Sequence, residues 1–433
     1  MNLRSMSNHR PAAAADLPHP VRPRVAITGL GAVTPLGLTA AASWESLLAG
    51  HSGIGPITRF DASVLPVRIA GEVKEFQPEN FMERKEVRRT ARVSHLMIAA
   101  VRMALADAGL PEPLPTPERV GTVVGTGAGG LEVVDRELTT LRTRGFDRVS
   151  PFALTGFLAN MPAYHVSLVT GAHGPINTVV AACASGAQAI ADGVELIRSG
   201  RADLVVAAGG EGLIDLTAIG SFARINALST RNDDPARACR PFDRTRDGTV
   251  LSEGAGALIL ERLDHARARG ATVYAEMLGH ASSSDAYHIT APDPLAGGMA
   301  RSLRWALEDA GVEPQQVDYI NAHGTATPLN DSLETVAVKA VFGEYAYRIP
   351  ISGSKALLGH ALGGAGAIEA IFCLLALRDN IIPPTWNYGE PDPACDLDYV
   401  PNRPRPAALT TAVSNSFAMG GHNTCLVFRR STR

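Results

Sequence analysis

One cysteine, two histidines and a lysine carry most of the chemistry open to this chain, each beside a run of alanine or glycine. Cys183 lies in Asn177-Thr-Val-Val-Ala-Ala-Cys183-Ala-Ser-Gly186, where four or five strand-forming residues run into a turn. A helical face of Ala187, Ile190, Ala191, Val194 and Ile197 follows. The pattern predicts a buried strand turning into the N-terminus of a buried helix, with the cysteine at the elbow. Free N–H groups and the positive end of the helix dipole favour an anion there, so a stabilised thiolate nucleophile is expected. Ala182, Ala184 and Gly186 keep the sulfur approachable.

The acid-base candidates fall on similar turns. His323, in Asn321-Ala-His323-Gly-Thr325-Ala-Thr327-Pro328, follows a strand ending at Ile320. Open α/β sheets place ligands at such strand ends. Lys355 and His360 share Ser352-Gly-Ser-Lys355-Ala-Leu-Leu-Gly-His360, just before a helix that carries Glu369. Two histidines and a lysine on such loops can hydrogen-bond a carbonyl and a leaving carboxylate. Asn415-Ser-Phe417-Ala-Met419-Gly420-Gly421-His422-Asn423 reads as a glycine turn between two strands, whose exposed N–H groups make a candidate oxyanion site. His280 and His288 show no metal spacing with these residues, and no catalytic metal is expected. Cys239, Cys373, Cys395 and Cys425 lack an elbow, and Cys373 and Cys425 read as core.

These residues need a scaffold of strands and helices. Strand signals that end in glycine occur at Arg24 to Gly31, Val120 to Gly130, Leu204 to Gly210 and Val317 to Gly324. Residues 93–108 put Val93, Leu96, Met97, Ala100, Val101, Ala104 and Leu105 on one helix face, stopped by Gly109. Residues 298–310 repeat the pattern with Leu303, Ala306, Leu307 and Ala310, stopped by Gly311. Strand, turn and small-residue helix recur at 175–199 and at 349–378. The echoes point to an internal duplication, two α/β halves at 24–276 and 277–433.

Composition narrows the function class. The chain has 433 residues, 40 Lys+Arg against 43 Asp+Glu, 45% apolar residues but only 5% aromatic ones, and 42 Gly. The apolar share excludes a mostly disordered chain, and the near-neutral balance gives no basis for nucleic-acid or acidic-lipid binding. Five cysteines without C-x-x-C pairs fit a reducing, cytoplasmic setting better than a disulfide scaffold. Residues 1–23 read as a Pro/Ala-rich flexible extension, without the apolar run of a signal peptide. Nor is any apolar run long enough to cross a membrane.

Cys183 in A-C-A-S-G, His323 in N-A-H-G-T, Lys355 and His360 in S-K-x-x-x-G-H, and the motif N-S-F-x-x-G-G-x-N together resemble the β-ketoacyl-[acyl carrier protein] synthases, closest to their elongating, type II-like branch. The resemblance runs from Val25 to Phe428. It implies a thiolase-like fold, two duplicated βαβαβαββ halves in a five-layered αβαβα sandwich, and a dimer with itself or with a related ketosynthase or chain-length subunit. It implies a decarboxylative Claisen condensation of a Cys183-bound acyl chain with a malonyl-carrier thioester. It implies no cofactor of the enzyme's own, since the phosphopantetheine arm belongs to the acyl carrier protein. By the same resemblance, His323 and His360 assist decarboxylation and bind the thioester carbonyl, and Lys355 holds the network with Glu369. The N–H groups of Cys183 and Met419 form the oxyanion hole, Phe417 gates the acyl chain, and Thr325 and Thr327 contact the phosphopantetheine. Lys85, Arg88 and Arg89 match the patch that meets the acidic carrier protein.

The chain departs from the family pattern at four places. Phe417-Ala-Met419-Gly-Gly stands where F-G-F-G-G is usual, Ala128 where a bulky residue is usual, Asn226 near a usual arginine, and Thr90-Ala91 for Met-Asp. Ala128 and Met419 predict a roomier, more adaptable acyl pocket, and Asn226 removes one cation from the pantetheine approach. Within fatty-acid or type II polyketide or polyene elongation, these departures point away from housekeeping fatty-acid synthesis and toward a specialised polyketide or polyene assembly line. The alternatives are a non-catalytic chain-length partner, a biosynthetic thiolase and a Cys/His protease. The first usually lacks the cysteine, the second needs a second reactive cysteine in C-x-G, and the third leaves Lys355 unused.

Overall fold

The computed structural model describes residues 22–431. The extension read at residues 1–23 therefore lies outside the described residues, apart from its last two.

Ten strands make one continuous sheet. In chain order they are β1 (Val25–Val33), β2 (Val120–Gly125), β3 (Ile176–Val179), β4 (Leu204–Glu211), β5 (Gly254–Arg262), β6 (Ala275–Ser284), β7 (Tyr319–Asn321), β8 (Ile351–Ser352), β9 (Thr411–Ala418) and β10 (His422–Arg430). Their spatial order is β8-β7-β9-β10-β6-β1-β5-β4-β2-β3. Strands one to five thus occur as 3-2-4-5-1, and strands six to ten repeat that order. The two sets join where β1 pairs antiparallel with β6, Val25 opposite Met277.

Seven helices cover and fill this sheet: α1 (Arg92–Asp107), α2 (Leu131–Arg144), α3 (Met161–Thr170), α4 (Ser185–Arg198), α5 (Gly297–Ala310), α6 (Pro328–Phe342) and α7 (Ala365–Asp379). A further ten-residue helix, Ala40–Ala49, and shorter helical pieces complete the described residues. α1 and α3 pack outside the first five strands, α5 outside the second five with α6 packed beside it, and α4 with α7 form the layer between. The result is a five-layered αβαβα arrangement. Every residue of α7 from Ala365 to Leu377 is buried, as a helix apolar on all sides must be.

The small-residue composition has its cause in this middle layer. A Cβ on Gly186 would lie 2.8 Å from Gly363 O, and one on Gly366 would lie 2.7 Å from Ala187 N. Backbones this close exclude larger side chains. The apolar faces read for α1 and α5 are the buried ones, and Gly109 and Gly311 end both helices at positive φ, 64° and 60°.

Two expectations need correction. The strand before Cys183 is not buried: β3 is the edge strand, with Ile176 53% exposed. The strand read at Val317 to Gly324 is only Tyr319–Asn321, because the chain leaves the sheet through a turn with Gly324 and Ala326 at positive φ. β5 and β6 carry no glycine-terminated signature and were not among the strand signals.

Candidate active site

The nucleophile elbow is sharper than a direct strand-to-helix join. After β3, Ala182 sits at φ 46° and begins a short 3₁₀ turn, Ala182–Ala184, and α4 starts at Ser185. A non-glycine residue at positive φ is strained, a feature of nucleophile elbows. The Ser185 hydroxyl oxygen accepts from Ala181 N at 2.8 Å and lies 2.7 Å from Ala182 O, which locks the turn.

Cys183 is 7% exposed, and its environment overturns the expected stabilised thiolate. Burial pushes the thiol up to about 11, against the opposing pull of the Lys355 charge and the Met419 N–H. Desolvation outweighs the helix terminus here, because the low-dielectric surroundings penalise the anion directly.

The histidines come from the second half. His323 lies two residues beyond β7, and its N–H and that of Gly324 donate to the two carboxylate oxygens of Glu334 at 2.8 and 2.9 Å. Glu334 on α6 is a site-shaping residue with no signal in the sequence. His360 is held by its main chain: its N–H donates to Val250 O at 2.7 Å, and its carbonyl accepts from Ser252 N at 2.9 Å. The two imidazoles meet edge to face with centroids 5.3 Å apart. Burial, with the Lys355 charge next, holds both well below the usual histidine range, so both are neutral. Neither ring nitrogen of His360, nor Nδ1 of His323, has a protein partner among the described residues.

Lys355 lies behind them, fully buried. Its ammonium donates to His323 O at 2.6 Å and pairs with Glu369, whose same oxygen accepts from Ser354 Oγ at 3.2 Å. Phe417, at the end of β9, presents its ring edge-on to His323, 6.1 Å between centroids. Met419 opens the β9–β10 turn, where Gly420 and Gly421 take positive φ of 80° and 74°.

Donor atoms of Cys183, His323 and His360 all lie within 4.8 Å of one another. They face a cavity of about 400 Å³ that is also lined by Phe417, Met419, Thr325, Thr327 and Asn226. Four segments remote in sequence therefore deliver a thiol, two neutral imidazoles and a turn N–H to one chamber. Such a set can hold a thioester carbonyl while sulfur attacks it. Thr325 and Thr327 hydrogen-bond each other at 3.0 Å, and Thr327 caps α6.

The remaining candidates do not line that cavity. Ala128 packs at the edge of the apolar cluster that contains Cys183, Leu213 and Leu362. Lys85 and Arg88 are exposed on and beside a short helix, Arg84–Val87. Arg89 is partly turned inward, 3.5 Å from Glu86 and stacked 4.3 Å over Phe152.

Comparison with known families bears on this geometry. Residues 22–266 match the model described as beta-ketoacyl synthase, N-terminal domain, and residues 274–389 match its C-terminal domain. The chain belongs to the β-ketoacyl synthase family. Its fold is the thiolase-like one the motifs implied. A 3-oxoacyl-[acyl-carrier-protein] synthase 2 of Synechocystis sp. is 47% identical over 407 residues, 94% of this chain and 98% of that protein. The protein of that name from Coxiella burnetii is 45% identical over the same shares. Among solved structures, the ishigamide ketosynthase/chain length factor is 35% identical with a TM-score of 0.89, and a beta-ketoacyl synthase from Burkholderia phymatum is 38% identical with a TM-score of 0.88. Each comparison covers 95% of this chain and all of the other. As in the sequence, no helix among the described residues is long and apolar enough to cross a membrane.

Proposed function

We propose that this β-ketoacyl synthase is an elongating acyltransferase that condenses a Cys183-bound acyl chain with a malonyl-carrier thioester, releasing CO₂. The observation that carries the reading is the convergence of Cys183, His323 and His360 on one chamber, backed by a buried Lys355–Glu369 pair.

In the first step Cys183 sulfur attacks the acyl thioester carbonyl and the carrier thiol leaves. The proton lost by Cys183 passes to that thiol. The N–H groups of Cys183 and Met419 stabilise the tetrahedral oxyanion, and Met419 lines the same cavity as the sulfur. In the second step malonyl-carrier enters, and neutral His323 and His360 donate hydrogen bonds to its thioester carbonyl. Loss of CO₂ leaves an enolate, whose carbon attacks the acyl-enzyme and returns sulfur to the thiol on protonation. Lys355 positions His323 through its main-chain oxygen.

Phe417 beside His323 gates entry of the acyl chain, Thr325 and Thr327 flank the phosphopantetheine arm, and Lys85, Arg88 and Arg89 dock the acidic carrier. Ala128 and Met419 widen acceptance of acyl chains, which supports fatty-acid or type II polyketide or polyene elongation; the identity to the synthase 2 relatives favours the former. The structural halves divide near residue 277. A second copy, or a related subunit, covers edge strand β3 in the cytoplasm, which accounts for the exposure of Ile176, Val180 and Leu168. The test is to supply acyl- and malonyl-carrier thioesters and look for the 3-oxoacyl product and CO₂ in equal amounts.

A further inference from the structure

The two halves build the same elbow twice. In the first, Ala182 at positive φ opens a three-residue 3₁₀ turn, and a central helix begins at Ser185. In the second, Leu362 at φ 42° opens the turn Leu362–Gly364, and α7 begins at Ala365. Gly363 thus stands at the place that Cys183 occupies in the first half. Its main-chain N–H, like that of Cys183, points out of an elbow and needs an acceptor.

Glu211, the last residue of β4, supplies it. The side chain is fully buried, and one carboxylate oxygen accepts from Gly363 N at 3.2 Å and from Gly127 N at 2.7 Å. The other oxygen accepts from Thr126 Oγ1 at 3.3 Å. Two loops from opposite halves meet at this carboxylate. One is the loop of Gly127 and Ala128, and the other is the turn that begins two residues after His360. They touch as well as bond: a Cβ on Gly363 would lie 2.3 Å from Gly127 N, and one on Gly127 would lie 2.7 Å from the Glu211 carboxylate. Glycine at both positions is therefore required by the clamp.

We propose that Glu211 is a positioning residue for the condensation, a buried carboxyl group in the second elbow that fixes the His360 turn against the loop of Ala128, which packs on the apolar cluster around Cys183. The inference rests on the proposed reaction. His360 has no side-chain partner among the described residues, so its ring is aimed by its backbone, and the backbone beyond it is anchored by this carboxylate. The carboxylate accepts from all three donors; in an amide the oxygen can still accept from both glycine N–H groups, but its N–H₂ faces the Thr126 hydroxyl, which must turn from donor to acceptor, and the charge-assisted character of the bonds is lost. Burial pushes the Glu211 carboxyl up to about 7.

The test compares Glu211→Gln with the full-length parent on a series of acyl-carrier chain lengths, measuring acyl loading of Cys183, kcat and KM of condensation, and Tm. The expected result is a fall in kcat of about tenfold, the rate equivalent of one charge-assisted hydrogen bond, with KM for malonyl-carrier unchanged and the chain-length profile shifted. Should Glu211→Gln not fold, Thr126→Ser, which keeps the hydroxyl that accepts from Gly129 N, and Thr126→Val, which removes both that acceptor and the donor to Glu211, are compared; a smaller kcat loss with shifted profile and unchanged KM is then expected for Thr126→Val and not for Thr126→Ser. A folded Glu211→Gln, or failing that Thr126→Val, with parental kcat and profile overturns the proposal. So does a kcat loss with an unshifted profile, which marks a merely structural role. A parent that loads acyl chains but makes no 3-oxoacyl product overturns the reaction instead.

Discussion

Lys355 holds His323 through the main chain rather than through the ring: its Nζ donates to His323 O at 2.6 Å while its charge is matched by Glu369. The lysine thus fixes the place of one imidazole and the electrostatic field around both. It also lowers the proton affinity of both rings.

Replacing Lys355 by Ala should therefore do two separable things. It leaves Glu369 buried without its cation, which costs about 3–5 kcal/mol of stability, readable in a denaturant titration. It also frees the His323 turn, so condensation is lost. The double variant Lys355→Met with Glu369→Leu should recover most of the stability and none of the condensation. Recovery of both would show that the pair has only a structural role.

Cys183 reactivity should follow its raised pKa. With the thiol near 11, the rate of alkylation by iodoacetamide should rise about tenfold per pH unit between pH 7 and 10, without a plateau. A plateau below pH 8 would restore the thiolate that the helix terminus alone predicts. The sign is that of a desolvated acid, whose anion is disfavoured until the solution pH approaches the raised value.

Ala128→Ile should narrow acyl acceptance. Three added carbons in the apolar cluster around Cys183 take space from the chain, so kcat/KM for long acyl-carrier substrates should fall about tenfold or more while short ones change little. An unchanged chain-length profile in the elongation assay counts against the pocket as drawn.

Carrier docking should be electrostatic. Lys85→Glu with Arg88→Glu should raise KM for the acyl carrier about tenfold at low salt, leave kcat unchanged, and lose most of its effect at high salt. Arg89→Glu should do less in this assay and more to local stability, because Arg89 is already engaged by Glu86 and Phe152.

The legible parts of the site are those whose signal is local. Cys183, His323, Lys355, His360 and the Met419 turn each sit in a short stretch where strand, glycine and helix patterns succeed one another, so type and spacing place them. The helix faces of α1 and α5 were readable for the same reason. Glu211 is not, because it works at a distance along the chain: it bonds Gly127, 84 residues before it, and Gly363, 152 residues after it. Glu334 lies close in sequence to His323, but a lone acidic residue on a helix bears no mark of the turn N–H groups it accepts from. No period or motif records such a meeting. The raised thiol is not legible because a sequence shows the helix terminus but not the depth of burial, and burial is the larger effect. The edge position of β3 is not legible because strand order is a property of the whole sheet.

The central claim is that Cys183 carries the acyl chain through a decarboxylating condensation. Mass spectrometry of the intact protein after incubation with an acyl-carrier thioester, followed by malonyl-carrier, tests it most directly. The parent should gain one acyl mass at Cys183 and lose it on malonyl addition, with one 3-oxoacyl-carrier formed per acyl group lost. Cys183→Ala should gain nothing while keeping its fold, at a stability cost of about 1–2 kcal/mol for the small void. Acyl mass on another residue, or a 3-oxoacyl product from folded Cys183→Ala, would contradict the account.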